Sequence, residues 1–168
     1  MKTDASWASW FAGFIDGEGC FVFRIEKYKW YYQIFLQVEL RDDDLPLLFE
    51  IQEQLQMGTI CRKSPKERQL ARCPGEKPTA SWKVCRQDDC LRLTELLDAH
   101  PLRSKKKHDY DIWREVVLEL QKDPKGRDKA KLRYWEDKLK LVRQYEQQEI
   151  EDFEPDGIQL EFWTSDSD

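Results

Sequence analysis

Histidine is nearly missing from this sequence: there are two, and no cysteines stand at Cys-x-x-Cys spacing. That leaves little for a structural zinc site, which needs such spacings. The five cysteines, Cys20, Cys61, Cys73, Cys85 and Cys90, are odd in number and read as reduced thiols rather than a disulfide framework. No stretch approaches the roughly 18 apolar residues of a membrane span, and the first residues lack the apolar core of a signal peptide. The expectation is an intracellular protein, of a bacterial cytoplasm or an organelle, with no membrane partner. No second copy of the opening stretch occurs further on. From residue 146 to the end there is not one lysine or arginine.

What is present suits one domain of ordinary size. A chain of 168 residues with seven Trp and eight Phe can build a real core, although 36% of its residues are charged. The net charge of −5 conceals a split, because the acids from Glu146 to Asp168 sum to −9 and leave +4 for residues 1–145. Asymmetry of this kind points to a polyanion partner or an interaction tail. A merely solvated tail is the alternative.

Periodicity supplies the elements. Trp7, Trp10, Phe11, Phe14 and Ile15 share a helical face over 6–16, with Ser6 as N-cap. Residues 20–27 alternate, Phe21, Phe23 and Ile25 opposite Cys20, Val22, Arg24 and Glu26. Residues 31–41 alternate likewise, Ile34, Leu36, Val38 and Leu40 opposite Tyr31, Gln33, Phe35, Gln37 and Glu39, so the two runs read as a hairpin with one core face and one polar-aromatic face. Asp42, Asp43 and Asp44 precede Pro46 as capping residues of a helix that Gly58 ends. Strands follow at 59–63 and 79–86, then helices at 88–99, 104–122 (capped by Ser104) and 127–150. The order is α-β-β-α-β-β-α-α-α, an α+β chain. Its expected divisions are a core over 1–122, a helical extension over 123–150 and a flexible acidic tail over 151–168.

The first helix runs into Trp10-Phe11-Ala12-Gly13-Phe14-Ile15-Asp16-Gly17-Glu18-Gly19. Small residues Ala12, Gly13 and Gly17 let a second helix backbone approach closely. A carboxylate at the end of such a helix meets its mate at the shared axis, and a divalent cation between them relieves the repulsion. Far along the chain, Lys105-Lys106-Lys107 sits in the first turn of a helix, where the macrodipole disfavours cations. Residues set against local preference hint at function.

The ten-residue stretch resembles the defining motif of the LAGLIDADG homing endonucleases, and Pro101-Leu102-Arg103-Ser104-Lys105-Lys106 resembles that family's last shared stretch. The likeness covers about residues 6–122. It implies the αββαββα fold, with a saddle-shaped antiparallel sheet and helices on one face. One motif per chain implies a homodimer packed through Ala12, Gly13, Asp16 and Gly17, with Asp16 capping the partner helix. Glu18, where relatives often carry Asp, would bind Mg²⁺ with its mate, with Gly17 adding a carbonyl; Mn²⁺ or Ca²⁺ can substitute for binding. Lys105, and after it Lys106, would stabilise charge developing on the phosphate.

Double-stranded DNA is then the expected partner. The reading-face candidates are Arg24, Glu26, Gln33, Gln37, Arg62, Lys63, Ser81 and Lys83, whose groups suit base edges and phosphates. Lys66, Arg68 and Arg72 are candidate phosphate contacts. Leu40 and Asp44 depart from the polar or basic residues of some relatives, and the acidic tail is not a family feature. The implied activity is Mg²⁺-dependent, site-specific cleavage of duplex DNA by an endonuclease that spreads its own intron or intein gene. The alternative is a cleavage-inactive DNA-binding regulator or a maturase that binds intron RNA.

Overall fold

A computed structural model describes residues 4–26, 31–63 and 77–143. Helix α1 (Ala5–Glu18) leads directly into β1 (Gly19–Ile25), followed by β2 (Tyr32–Arg41). A 3₁₀ turn at Asp42–Asp44 opens α2 (Leu45–Leu55), and β3 (Thr59–Lys63) and β4 (Thr79–Val84) come next. The helices α3 (Gln87–Ala99), α4 (Lys106–Lys122) and α5 (Lys129–Val142) close the described chain. Among the described residues, the element order expected from periodicity is the observed one.

The four strands form one antiparallel sheet in the order β1-β2-β4-β3. Alternation divides its faces, because successive side chains of a strand point to opposite sides. Phe21, Phe23, Ile34, Leu36, Val38, Ala80, Trp82 and Val84 are buried and join one core with Phe11 and Ile15 of α1, Leu48, Ile51 and Leu55 of α2, Leu93 and Leu97 of α3, and Trp113, Val116 and Leu120 of α4. Helices thus cover one face of the sheet. The opposite face carries Arg24, Gln33, Gln37, Lys63, Ser81 and Lys83 across the registers Arg24↔Gln33, Gln37↔Lys83 and Lys63↔Thr79.

Helix α5 belongs to the same core through Leu132 and Leu139. It also seals the outer edge of β1, since Glu136 Oε1 accepts the Ile25 N–H at 3.0 Å and the Arg143 guanidinium donates to the Phe21 carbonyl. Unpaired edge groups invite pairing with another chain, and side-chain partners remove that invitation. Among the described residues no helix is long and apolar enough to cross a membrane.

Several local expectations are corrected. The α1 N-cap is Asp4, not Ser6, and no side chain caps it. Ala12 is only 5% exposed and lies in this chain's own core, because it shares a helical side with Ala8, Phe11 and Ile15, whereas Gly13 is turned outward. The left-handed residue ending α2 is Gln56 (φ 52°), with Gly58 (φ 83°) two residues on. Lys105 takes the N-cap position of α4, while Ser104, one residue earlier, accepts the N–H of Lys106 at the start of the helix. Helix α5 covers the middle of the expected 127–150, whose last residues lie outside the described ones, as do the tail and the turn at 27–30.

Gly58 is fixed by contact as well as by backbone. A Cβ there would fall 2.4 Å from the Trp82 indole nitrogen, which donates to the Met57 carbonyl at 3.0 Å. Gly58→Ala is therefore expected to cost more than about 1 kcal/mol, since Ala is strained at positive φ even without a clash. A thermal or urea unfolding curve matching the wild type would contradict this.

Candidate active site and nucleic-acid interface

The helix-to-strand junction at Glu18 and Gly19 has no linker. Gly19 is extended and its N–H bonds back to the Ile15 carbonyl. A Cβ on Gly19 would lie 2.6 Å from that carbonyl oxygen, a distance no side chain tolerates. The glycine therefore permits α1 to become β1 within one residue, and it leaves Glu18 exposed at the helix end.

Gly13 and Gly17 have a different role. A Cβ at either would meet nothing within 4 Å, so neither is required by this chain's packing. They form a bare stripe on the outside of α1, beside Trp10, which is 42% exposed and stacks on Phe14 at 5.4 Å.

Asp16 faces inward along its own chain. Its Oδ2 accepts the backbone N–H groups of Arg103 and Ser104, both at 2.9 Å, and its Oδ1 accepts the Ser104 hydroxyl at 2.5 Å. Within the chain the Asp16 carboxylate thus holds the segment that leads into α4. Burial acts to raise its pKa, but the Ser104 hydroxyl, the two N–H groups and the Lys106 charge outweigh burial and hold it below the ordinary 3.8.

The same contacts aim a lysine. Ser104 Oγ accepts the Lys106 N–H at 3.1 Å, and Lys106 Nζ donates to the Gly19 carbonyl at 2.5 Å and the Gly17 carbonyl at 3.3 Å. The ammonium therefore sits against the main chain on both sides of Glu18. Lys107 turns away to Asp111 at 2.6 Å, and Lys105 occupies the N-cap position. Of the three lysines, the structure brings Lys106 to the motif, by way of the bonds from Asp16.

On the open face of the sheet the candidate residues are held in two groups. Arg24 Nε donates to Gln33 Oε1 at 2.7 Å, and Gln33 donates to the Tyr31 hydroxyl at 3.3 Å. Glu39 gathers Lys63 at 2.7 Å, Thr79 at 3.0 Å and Gln37 at 3.2 Å. Lys83 lies over the Phe35 ring, 3.4 Å from its centroid, a cation–π contact that keeps the cation on this face. Ser81 shares the face but is 7% exposed, and Glu26 continues the parity just past β1.

Arg62 does not belong with these. It pairs with Ala80 of β4, on the side of Ile60 and Trp82, and its guanidinium holds Asp42 at 2.7 and 2.5 Å. Adjacent strand residues cannot share a face, so Lys63 and Arg62 divide between the two. Lys66, Arg68 and Arg72 lie outside the described residues. Sequence reasoning passed over Glu39, Tyr31 and Thr79 as site members; the same alternation was the signal that could have included them.

Asp16→Asn is expected to lower the melting temperature at neutral pH. With the folded carboxyl held below 3.8, its stabilisation is full above that value and fades as pH falls through the lowered one. The gap between wild type and variant should therefore close under acid, and a gap of constant size from pH 7 to pH 3 would rule the contribution out.

Three comparisons bear on this geometry. Residues 11–117 match the family described as LAGLIDADG endonuclease. The chain is 25% identical over 121 residues to a Schizosaccharomyces pombe protein named probable intron-encoded endonuclease Cox1-I1b, a match covering 69% of this chain and 28% of that one. Among solved structures, it is similar to the LAGLIDADG meganuclease I-AabMI bound to uncleaved DNA (TM-score 0.57, 28% identity, 69% of this chain and 37% of that chain). It is also similar to the LAGLIDADG homing endonuclease I-GzeII in complex with its DNA target (TM-score 0.56, 25% identity, 68% and 36%). The chain thus spans well under two thirds of the length of these relatives. A homing endonuclease, I-TnaI, shares the fold over 97% of its own chain at 15% identity, with a TM-score of 0.58.

Proposed function

Because this chain belongs to the LAGLIDADG endonuclease family, we propose that it is a homodimeric, site-specific double-strand DNA endonuclease using a divalent cation at the paired ends of α1. The observation that carries the reading is the Lys106 ammonium resting on the carbonyls of Gly17 and Gly19, either side of an exposed Glu18. An exposed carboxylate and a neighbouring ammonium on rigid elements are the parts that phosphodiester hydrolysis asks of a protein.

The donor set fits a hard cation. The Glu18 carboxylate and the Gly17 carbonyl offer the oxygen ligands that Mg²⁺, Mn²⁺ or Ca²⁺ takes. Among the described residues no cluster of three or more His, Cys, Asp or Glu could hold a metal within one chain, so Glu18 of a second copy supplies the missing charge. A cation bound there contributes Lewis acidity and a more acidic water. Lys106 contributes a positive charge for the phosphate oxygens, and Asp16 fixes the backbone from which that lysine reaches. Lys105, one position earlier, has the weaker claim.

The bare Gly13 and Gly17 stripe supports the dimer, since a second helix can approach where no side chain intervenes. The exposed face of the sheet supports DNA in the major groove, which admits a β-ribbon; Arg24, Glu26, Gln33, Gln37, Lys63 and Lys83 are its readers, with Ser81 beneath them. The likeness to an intron-encoded yeast protein supports a mobile intron as this gene's setting.

Cleavage of a pool of randomised duplexes in Mg²⁺ tests the chemistry. Glu18→Gln is expected to abolish cutting, and Lys106→Met to slow it about 10²-fold or more, on the scale of removing one charge-stabilising donor. Both should still bind duplex. If wild type and variants bind but none cuts, the protein is a DNA-binding regulator or, if intron RNA is preferred, a maturase.

Gly13→Leu tests the seam separately. A side chain there meets nothing in this chain and improves helix propensity by about 1 kcal/mol, so the fold should survive. Sedimentation should then report 20.2 kDa rather than twice that mass, and a variant that stays dimeric would exclude this face of α1 as the axis.

A further inference from the structure

The strands are not the only place where this chain keeps positive charge. Residues 122–143 hold nine Lys and Arg against four Asp and Glu, a net +5, whereas residues 1–121 hold nineteen against twenty, a net −1. Some of those nine cations serve the fold. Lys131 and Lys122 bind Glu119 at 2.5 and 3.4 Å, Lys140 binds Glu136 at 2.9 Å, and Arg143 binds Asp109 at 2.9 Å. Lys125, Arg127 and Lys129, at the entry to α5, are exposed to solvent.

The loop that carries them is fastened to the end of the sheet. The Pro124 carbonyl accepts the Tyr32 hydroxyl at 2.7 Å and the Gln87 amide at 3.4 Å. Gly126 has φ 57°, and a Cβ on it would lie 2.9 Å from both the Tyr32 ring and Leu132. The Asp123 carboxylate accepts the Arg127 N–H at 2.5 Å. Fixed in this way, Lys125 lines a cavity together with Tyr31, Gln33, Phe35 and Lys83, all of them on the open face of the sheet.

The helix dipole does not favour cations at this end of α5. Helix α5 begins with Lys129, Ala130 and Lys131 and has no acid in its first turn, although the N-terminal end of a helix favours negative charge. Asp128, whose side chain accepts the Lys131 N–H at 3.0 Å, and Glu119, which pairs with the Lys131 ammonium at 2.5 Å, offset part of that arrangement.

We infer that the segment Lys125–Lys129 is a second DNA-contacting surface, which grips phosphates beside the reading face and carries no base specificity. The inference rests on the DNA-binding reading of the sheet and adds to it a further source of backbone affinity. This segment anchors the duplex while the sheet inspects it; phosphate contacts position and base contacts specify.

Salt dependence is the measurement that isolates phosphate binding, and a mixed-sequence duplex suffices because sequence does not enter. For the full chain, log K is measured against log salt over roughly 50 to 200 mM, for wild type and for K125Q/R127Q/K129Q. Each phosphate that the protein no longer neutralises lowers the slope by about 0.9, so the slope of the triple variant should be shallower by about two to three, with an unchanged melting temperature. A wild type that binds duplex and a variant with the same slope would refute the inference and leave the DNA reading of the sheet intact. A weakening confined to single-stranded RNA would refute it in favour of an RNA surface. Failure of the wild type to bind duplex at any salt would remove both readings together.

Discussion

The close approach of Gly19 to the carbonyl of Ile15 governs the arrangement of this molecule. A Cβ at residue 19 would stand only 2.6 Å from that oxygen, so only glycine lets α1 turn into β1 without a linker. The helix end and the sheet rim therefore coincide, and Glu18 stands at their meeting point. A longer connection would have separated the carboxylate from both the outer stripe of α1 and the open face of the sheet. Site and interface lie together because the backbone has no slack between them.

A second set of contacts closes on the same point from far along the chain. Asp16 takes two backbone N–H groups and a hydroxyl from Arg103 and Ser104, and the next turn sends Lys106 back to the carbonyls around Glu18. These bonds tie α1 to the entry of α4, and they use a carboxylate whose charge the surroundings favour. In the proposed enzyme the acid at position 16 organises and the acid at position 18 reacts. Two carboxylates in one motif differ in role because one is enclosed by donors and the other is open.

Much of this was legible in the sequence. Period-2 alternation in 20–25 and 31–41 gave the core and open faces of β1 and β2, and the apolar spacing of 7–15 gave α1. The motif marked Glu18 and the glycines around it, and the basic run at 105–107 marked the right turn of α4. The misreadings have local causes. Arg62 was grouped with Lys63 by chemistry, though neighbouring strand residues point apart, and Ala12 was grouped with Gly13 by size, though about 100° of helix rotation separates them. Ser104 was read as a cap; its oxygen does accept the Lys106 N–H, and its hydroxyl also donates to Asp16, a bond no local pattern shows.

The amino-acid sequence by itself determined the element order, the two faces of the sheet and the place of Glu18 at a helix end, because periodicity and glycine sterics act over a few residues. Only the tertiary structure decided which lysine reaches the carbonyls on either side of Glu18, what Asp16 holds, and that Lys125 stands beside the open face of the sheet. Those pairings join residues 87 to 89 positions apart in the case of Asp16, Gly17 and Gly19, and 92 apart for Tyr32 and Pro124. No local pattern encodes separations of that length; packing of the helices on one face of the sheet sets them.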